Sequence, residues 1–227
     1  MILSARHINP PLKVILRTLM RIDDAAVAEV PLRGPLILAT NHINWLDAPV
    51  GFSHLHPRPL TAFAKIETWD NFLLRTLFNA WGAIPITRGQ VDFTAFRKAE
   101  EALASGKIIA IAPEGTRSRS GRLNQGYPGI VYLALRTGAP ILPFVFYGNE
   151  NFKLDIRRNQ RTEMNLRAGK PFRLVPPASS LDRHTRQELT DAIMFEIASL
   201  LPEDYHGYYA QIGNGHHRHL EYIDLTV

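Results

Sequence analysis

Three short segments, Leu36-Ile37-Leu38-Ala39, Lys107 to Ala112 and Ile141 to Tyr147, are apolar almost throughout, and polar residues follow each one. Strands of this kind are buried on both faces, as in parallel sheets covered by helices. Helical patterns fall between them. One starts near Asp47, and another runs from Trp69 to Asn79 behind a strand at Leu60 to Ala64. A third is capped by Asp92, carries Phe96, Ala99 and Leu103 on one side, and stops before Gly106. A fourth spans Gly129 to Arg136, and Leu189, Ile193, Ile197 and Leu200 mark a last one. This alternation predicts an α/β layered domain with a mostly parallel central sheet flanked by helices. In such sheets ligands gather beyond the carboxyl ends of the strands.

Ahead of this pattern, Leu12, Ile15, Leu16, Leu19 and Met20 form an apolar stripe, with Lys13, Arg17 and Arg21 on another face. The spacing predicts an amphipathic helix that begins after Pro10-Pro11, ends near Asp23-Asp24 and suits a membrane interface. The organisation expected is an N-terminal amphipathic segment over 1–24, a main domain over 25–206 and a tail over 207–227. With 227 residues, 45% of them hydrophobic, there is ample material for one core. No apolar run reaches the roughly 18 residues needed to span a bilayer. The first residues lack the long apolar stretch of a signal peptide, which predicts a cytoplasmic protein, peripheral on the inner face of the membrane. The chain has no cysteine, so thiol nucleophiles, disulfides and Cys-ligated zinc are excluded. The formal charge is +5, and the segment from Lys153 to Arg173 carries seven cations against Asp155 and Glu163. Such a patch suits anionic headgroups, phosphorylated substrates or nucleic acid, or else is a solvated loop.

The polar clusters carry the chemistry. Asn41-His42-Ile43-Asn44-Trp45-Leu46-Asp47 follows the first apolar run. On one continuous helix, five residues would set His42 and Asp47 about 140° apart. They can meet only if His42 stands in the turn and Asp47 opens the next helix, where the following Pro49 is tolerated. A carboxylate there fixes one imidazole nitrogen and leaves the other as a base. Ala112-Pro113-Glu114-Gly115-Thr116-Arg117-Ser118 follows the second run and offers a carboxylate, hydroxyls and a guanidinium. Glu114 could bind a glycerol hydroxyl, and Arg117 could grip a phosphate in a bidentate fork. Gly82-Ala83-Ile84-Pro85-Ile86-Thr87-Arg88 sets another arginine at an expected strand end.

In this order the segments resemble the glycerolipid acyltransferase family that includes 1-acylglycerol-3-phosphate acyltransferases. His42 to Asp47 matches its His-x4-Asp hallmark, Gly82 to Arg88 its second motif, and Glu114 to Ser118 its Glu-Gly-Thr-Arg-Ser motif. Ala139-Pro140-Ile141-Leu142-Pro143-Phe144 matches the fourth, and Ala64-Lys65-Ile66-Glu67 the Lys-containing segment. Two positions depart from the pattern: Ala112 stands where the family commonly has Phe, and Asn124-Gln125-Gly126 lacks the Lys often found there.

The resemblance implies transfer of a fatty acyl group from an acyl thioester, on coenzyme A or acyl carrier protein, to a glycerophosphate or lysophospholipid hydroxyl. His42 and Asp47 would be catalytic, Arg88 and Arg117 would hold phosphate, and Glu114, Gly115 and Thr116 would contact the acceptor. No cofactor or metal is expected. The competing readings are an acyl-thioester hydrolase and a non-enzymatic membrane-binding module. Nucleic-acid binding lacks any recognisable module. His216, His217 and His219 lack the His-Glu-x-x-His spacing of a zinc site and read as a surface tail.

Overall fold

Each of the three apolar runs becomes a buried strand. The computed structural model describes residues 4–87, 89, 92–118, 120–176, 181–211 and 216–225. Among these, the strands are β1 (Met20–Asp23), β2 (Leu36–Ala39), β3 (Leu60–Lys65), β4 (Ile84–Ile86), β5 (Ile108–Ile111), β6 (Ile141–Tyr147), β7 (Thr162–Ala168), β8 (Phe172–Leu174) and β9 (Leu220–Tyr222). The helices are α1 (Ala5–Leu19), α2 (Asp47–His54), α3 (Phe72–Ala80), α4 (Phe93–Ala104), α5 (Gly129–Thr137), α6 (Phe152–Arg157) and α7 (Arg183–Ser199).

The sheet order is β1-β7-β6-β2-β5-β3-β4, with β8 pairing β6 and β9. From β6 to β4 every pairing is parallel, while β7 and β8 run antiparallel to β6. Pro143 sits inside β6 without an N–H to give. Its carbonyl accepts from Gly169, and facing it Gly169 to Pro171 form a bulge between β7 and β8. A strand proline is tolerated where the partner strand leaves the ladder.

Alternation along β2 divides two cores. Ile37 and Ala39 face α4, α5 and α7, where Ala99, Leu103, Val131, Leu133, Ile193 and Ile197 are buried. Leu36 and Leu38 face α1 and α2, with Leu16, Val50 and Leu55. The period-two pleat sends neighbours to opposite faces, and helices cover both. At such a site Leu38→Ala would cost about 2–5 kcal/mol.

Several boundaries differ from the expectation. α1 starts at Ala5 and contains Pro10 and Pro11. Tertiary bonds secure the turn before them: Asn9 is buried, donates to the Phe52 carbonyl at 2.9 Å and accepts from the Trp81 indole at 2.8 Å. The helix ends at Leu19, because Met20–Asp23 finds a strand partner in β7. The stripe of α1 is largely used inside the fold. Leu16 and Met20 are buried in the second core and Leu12 packs against it, whereas Ile15 and Leu19 stay exposed. The helix expected from Trp69 starts at Phe72, after a 3-10 turn over Ile66–Asp70, since the Asn71 side chain caps Leu73 and Leu74. The Lys153–Arg173 segment folds as α6, β7 and part of β8. Beyond 207, Tyr209 is buried in the first core and β9 pairs with β8.

Candidate active site

β2, β5 and β6 end side by side, and the polar clusters leave from those ends. The turn after β2 carries His42, and Asp47 opens α2 in its first turn. Nδ1 of His42 lies 2.8 Å from Oδ2 of Asp47. The same oxygen accepts from the backbone N–H of Ile43 at 2.7 Å and of Asn44 at 3.0 Å. A carboxylate with these neighbours accepts, so Nδ1 carries the hydrogen and Nε2 is left as the base. Asp47 is 5% exposed and the His42 side chain 25%, so the pair has one closed side and one open side.

The closed side is completed by residues that the sequence did not single out as functional. Asn149, fully buried just past β6, donates from Nδ2 to the second Asp47 oxygen at 3.0 Å. Its carbonyl accepts from the Asn44 side chain at 2.8 Å. Asn41 ties the ends of β2 and β6 together, giving to the Phe146 carbonyl at 2.8 Å and accepting from the Phe146 N–H at 2.9 Å. Asn149 follows a strand end, and that position is the signal that could have marked it.

In the segment after β5, Pro113 and Glu114 occupy the centre of a turn closed by the Gly115 N–H on the Ala112 carbonyl at 3.0 Å. Gly115 has φ +66°, a left-handed backbone in which a side chain is strained. Glu114, expected to bind a glycerol hydroxyl, is engaged inside the fold instead of facing the opening. Its side faces inward and is 1% exposed. One oxygen accepts from the His42 N–H at 3.0 Å, and the other from the Asn124 N–H at 2.9 Å and the Asn124 side chain at 3.0 Å. With both oxygens committed, Glu114 fixes the backbone of His42 to that of Asn124. Burial raises its carboxyl above the ordinary value, opposed by the donors from Asn124 and His42. Asn124, in the stretch that lacks the family's Lys, thus has an internal role. Ser118 closes the segment, its N–H on the His42 carbonyl at 2.7 Å and its hydroxyl on the Arg122 carbonyl at 2.5 Å.

Gly115, Thr116 and Arg117 face outward and are exposed. Among the described residues, no hydrogen bond or ion pair occupies the side chain of Thr116 or Arg117. Arg88 lies outside the described residues; β4, which leads to it, ends at Ile86 on the same edge of the sheet. A separate depression between β7 and α7, bordered by Asp23, Arg167, Lys170 and Glu196, contains none of the motif residues. Among the described residues, no helix is long and apolar enough to cross a membrane, and no cluster of His, Asp and Glu could hold a metal ion.

The acyltransferase family model matches residues 21–147, more than half of the chain, from His42 and Asp47 through Glu114 to Ser118, and stops just short of Asn149. The chain belongs to the acyltransferase family. It is 30% identical over 125 residues to a 1-acyl-sn-glycerol-3-phosphate acyltransferase of Borreliella burgdorferi, covering 54% of this chain and 50% of that one. A lyso-ornithine lipid O-acyltransferase of Pseudomonas aeruginosa is 28% identical over 112 residues, covering 49% and 42%. The chain thus spans about half the length of these acyltransferase relatives or somewhat less. The fold is similar to the crystal structure of the 1-acyl-sn-glycerophosphate acyltransferase of Thermotoga maritima, with a TM-score of 0.64 at 19% identity over 86% of this chain and 78% of that one.

Proposed function

We propose that this protein transfers a fatty acyl group from an acyl thioester to the free hydroxyl of a lysophosphatidate-like acceptor, at a membrane surface on the cytoplasmic side. The observation that carries the reading is the His42–Asp47 pair at 2.8 Å, closed behind and open in front, in a chain of the acyltransferase family. His42 Nε2 takes the proton of the acceptor hydroxyl as its oxygen attacks the thioester carbonyl. When the carbon–sulfur bond breaks, the leaving thiolate recovers that proton from the imidazolium. Asp47 holds the ring and stabilises its charge, and Asn149 and Glu114 are positioning residues. Arg117, with Arg88, grips the acceptor phosphate, while Gly115 and Thr116 contact its glycerol part. The donor is acyl coenzyme A or acyl carrier protein, and no cofactor or metal takes part.

The test is purified protein incubated with each donor and a panel of lysophosphatidate, glycerol 3-phosphate, lysophospholipid and lyso-aminolipid acceptors. Acylated product from one phosphorylated acceptor is expected. Free fatty acid released at the same rate without any acceptor would replace the reading by thioester hydrolysis.

A further inference from the structure

The two cationic segments differ in what their charges touch. On α1, Lys13 and Arg17 both pair with Asp24, at 3.4 and 2.6 Å, and the neighbouring Arg21 lies 3.6 Å from Glu163. In the second segment Arg161 donates to the Met20 carbonyl at 2.7 Å, Arg167 pairs with Asp23 at 2.8 Å, and Arg173 donates to the Gly138 carbonyl. Lys170 is exposed between β7 and β8, opposite the start of β6 and away from α6, and Lys153, Arg157 and Arg158 remain. All three are exposed on or just after α6, and among the described residues no hydrogen bond or ion pair engages their side chains.

The place of α6 gives these charges a meaning. Asn149, three residues before it, holds Asp47, and Phe152 on its first turn meets Trp45 edge-on with centroids 5.8 Å apart. The helix therefore stands beside the His42 loop. Leu154 and Ile156 are 42% and 41% exposed between the cations. At the same edge of the sheet, past the end of β3, α3 begins with Phe72 and Leu73 exposed by 68% and 75%, and none of its residues is buried. In the order β3-β5-β2-β6, three strand spacings separate the two projections, about 14 Å at roughly 4.8 Å each. The turns that carry His42 and Gly115 leave from β2 and β5, between them.

We infer that the chain docks on an anionic lipid bilayer through this edge, with Lys153, Arg157 and Arg158 meeting headgroups and the apolar tips of α6 and α3 entering the interface. The inference rests on acyl transfer to a lipid acceptor, and it locates where that acceptor enters: straight from the bilayer into the opening before His42. Exposed apolar groups on both sides of the opening, with three cations on or just after α6 and Arg75 over the Phe72 ring of α3, match a flat anionic interface. α1, with Lys13 and Arg17 paired to Asp24 and Leu16 buried, is then a structural helix.

Sedimentation with vesicles of phosphatidylcholine alone, or mixed with equal phosphatidylglycerol, tests this. The full chain should partition preferentially onto the anionic vesicles. Lys153→Gln/Arg157→Gln/Arg158→Gln should lower that partitioning about a hundred-fold, at roughly five-fold per cation. Phe72→Ser/Leu73→Ser should weaken binding to both vesicle types, and Val14→Ser/Ile15→Ser on α1 should leave it within two-fold or so of the parent. Thermal melts and turnover of a short-chain, monomeric acceptor verify that each variant is folded and its site intact. Unchanged anionic partitioning in the triple variant, or release by the α1 variant, would overturn the assignment. So would intact vesicle binding with a selective loss of rate on acyl carrier protein donors, since α6 would then dock a protein. Partitioning does not depend on turnover, so the failure of acyl transfer and of docking are read separately.

Discussion

The inner and outer sides of the site are built from alternating parts of the same short segment, and they differ in every physical respect. Glu114 and Ser118 point inward, are buried, and have their side-chain oxygens bonded. Gly115, Thr116 and Arg117 point outward and are exposed, with no internal bond to the two side chains. A buried carboxylate must be satisfied by the protein itself, and here its three internal bonds hold the site together. An exposed guanidinium is satisfied by water, which a phosphate can replace. His42 stands on the boundary, with Nδ1 tied to the inner side and the ring partly open on the outer.

His42→Ala breaks this division at its centre and should have the largest effect. The rate constant kcat for acyl transfer should fall by about 10²–10⁴-fold, with the melting temperature unchanged by calorimetry. A folded variant that kept a tenth of the rate would mean that the ring is not the base.

Arg117→Ala tests the outer side alone. Loss of one charge-assisted bond costs about 1.5–3 kcal/mol, roughly ten- to a hundred-fold in affinity. It should appear as a raised KM for phosphorylated acceptors, with KM for the thioester and the melting temperature unaltered. Lys should rescue only part of it, because it keeps the charge and not the fork. A change confined to the thioester KM would move Arg117 to the donor side.

Glu114→Gln is the inner counterpart, and stability should report it. The amide offers one acceptor oxygen to three N–H donors and turns its own NH₂ toward one of them. The cost is about 1–3 kcal/mol, on the order of 3–10 °C in melting temperature. The pH dependence sharpens the test. Burial lifts the folded carboxyl above its ordinary value of 4.5, so between the two values the folded chain holds a proton that the unfolded chain has released. The stability contributed by this group is present below the ordinary value and lost as pH rises through the raised one. Melting curves of wild type and variant should therefore converge as pH rises across that window. Divergence would mean that the N–H donors outweigh burial.

Thr116→Val should be the mildest. An exposed hydroxyl that contacts the acceptor contributes about 0.5–1.5 kcal/mol, a few-fold in acceptor KM, with no change in melting temperature. A clear loss of stability would place Thr116 on the inner side.

Much of the central layer was legible from local pattern. The run Ile141 to Tyr147 coincides with β6, and Asp92 caps α4 by accepting from Ala95 at 2.9 Å, because burial on two faces and side-chain capping both act over neighbouring residues. The His42–Asp47 pair was legible for the same reason: five residues and one turn suffice to bring them together. The edges of the fold were not. β1 is a strand only because β7, more than a hundred residues later, offers a partner, and α1 continues through Pro10 and Pro11 while Asn9 bonds to Phe52 and Trp81.

The layered α/β class, the two-faced core strands, the pairing of His42 with Asp47 and an arginine in the segment after β5 all follow from the order of residues along the chain. Which way each polar side chain points depends on the assembled fold. Glu114 and Arg117 are three residues apart and equally polar in the sequence. One turns under His42 because Asn124 and the His42 N–H complete its bonds there, and the other faces solvent. Asn149 becomes part of the site only because β6 ends beside β2. Such contacts join residues distant along the chain, and their strength depends on being shut away from water, a condition that only the assembled layers create.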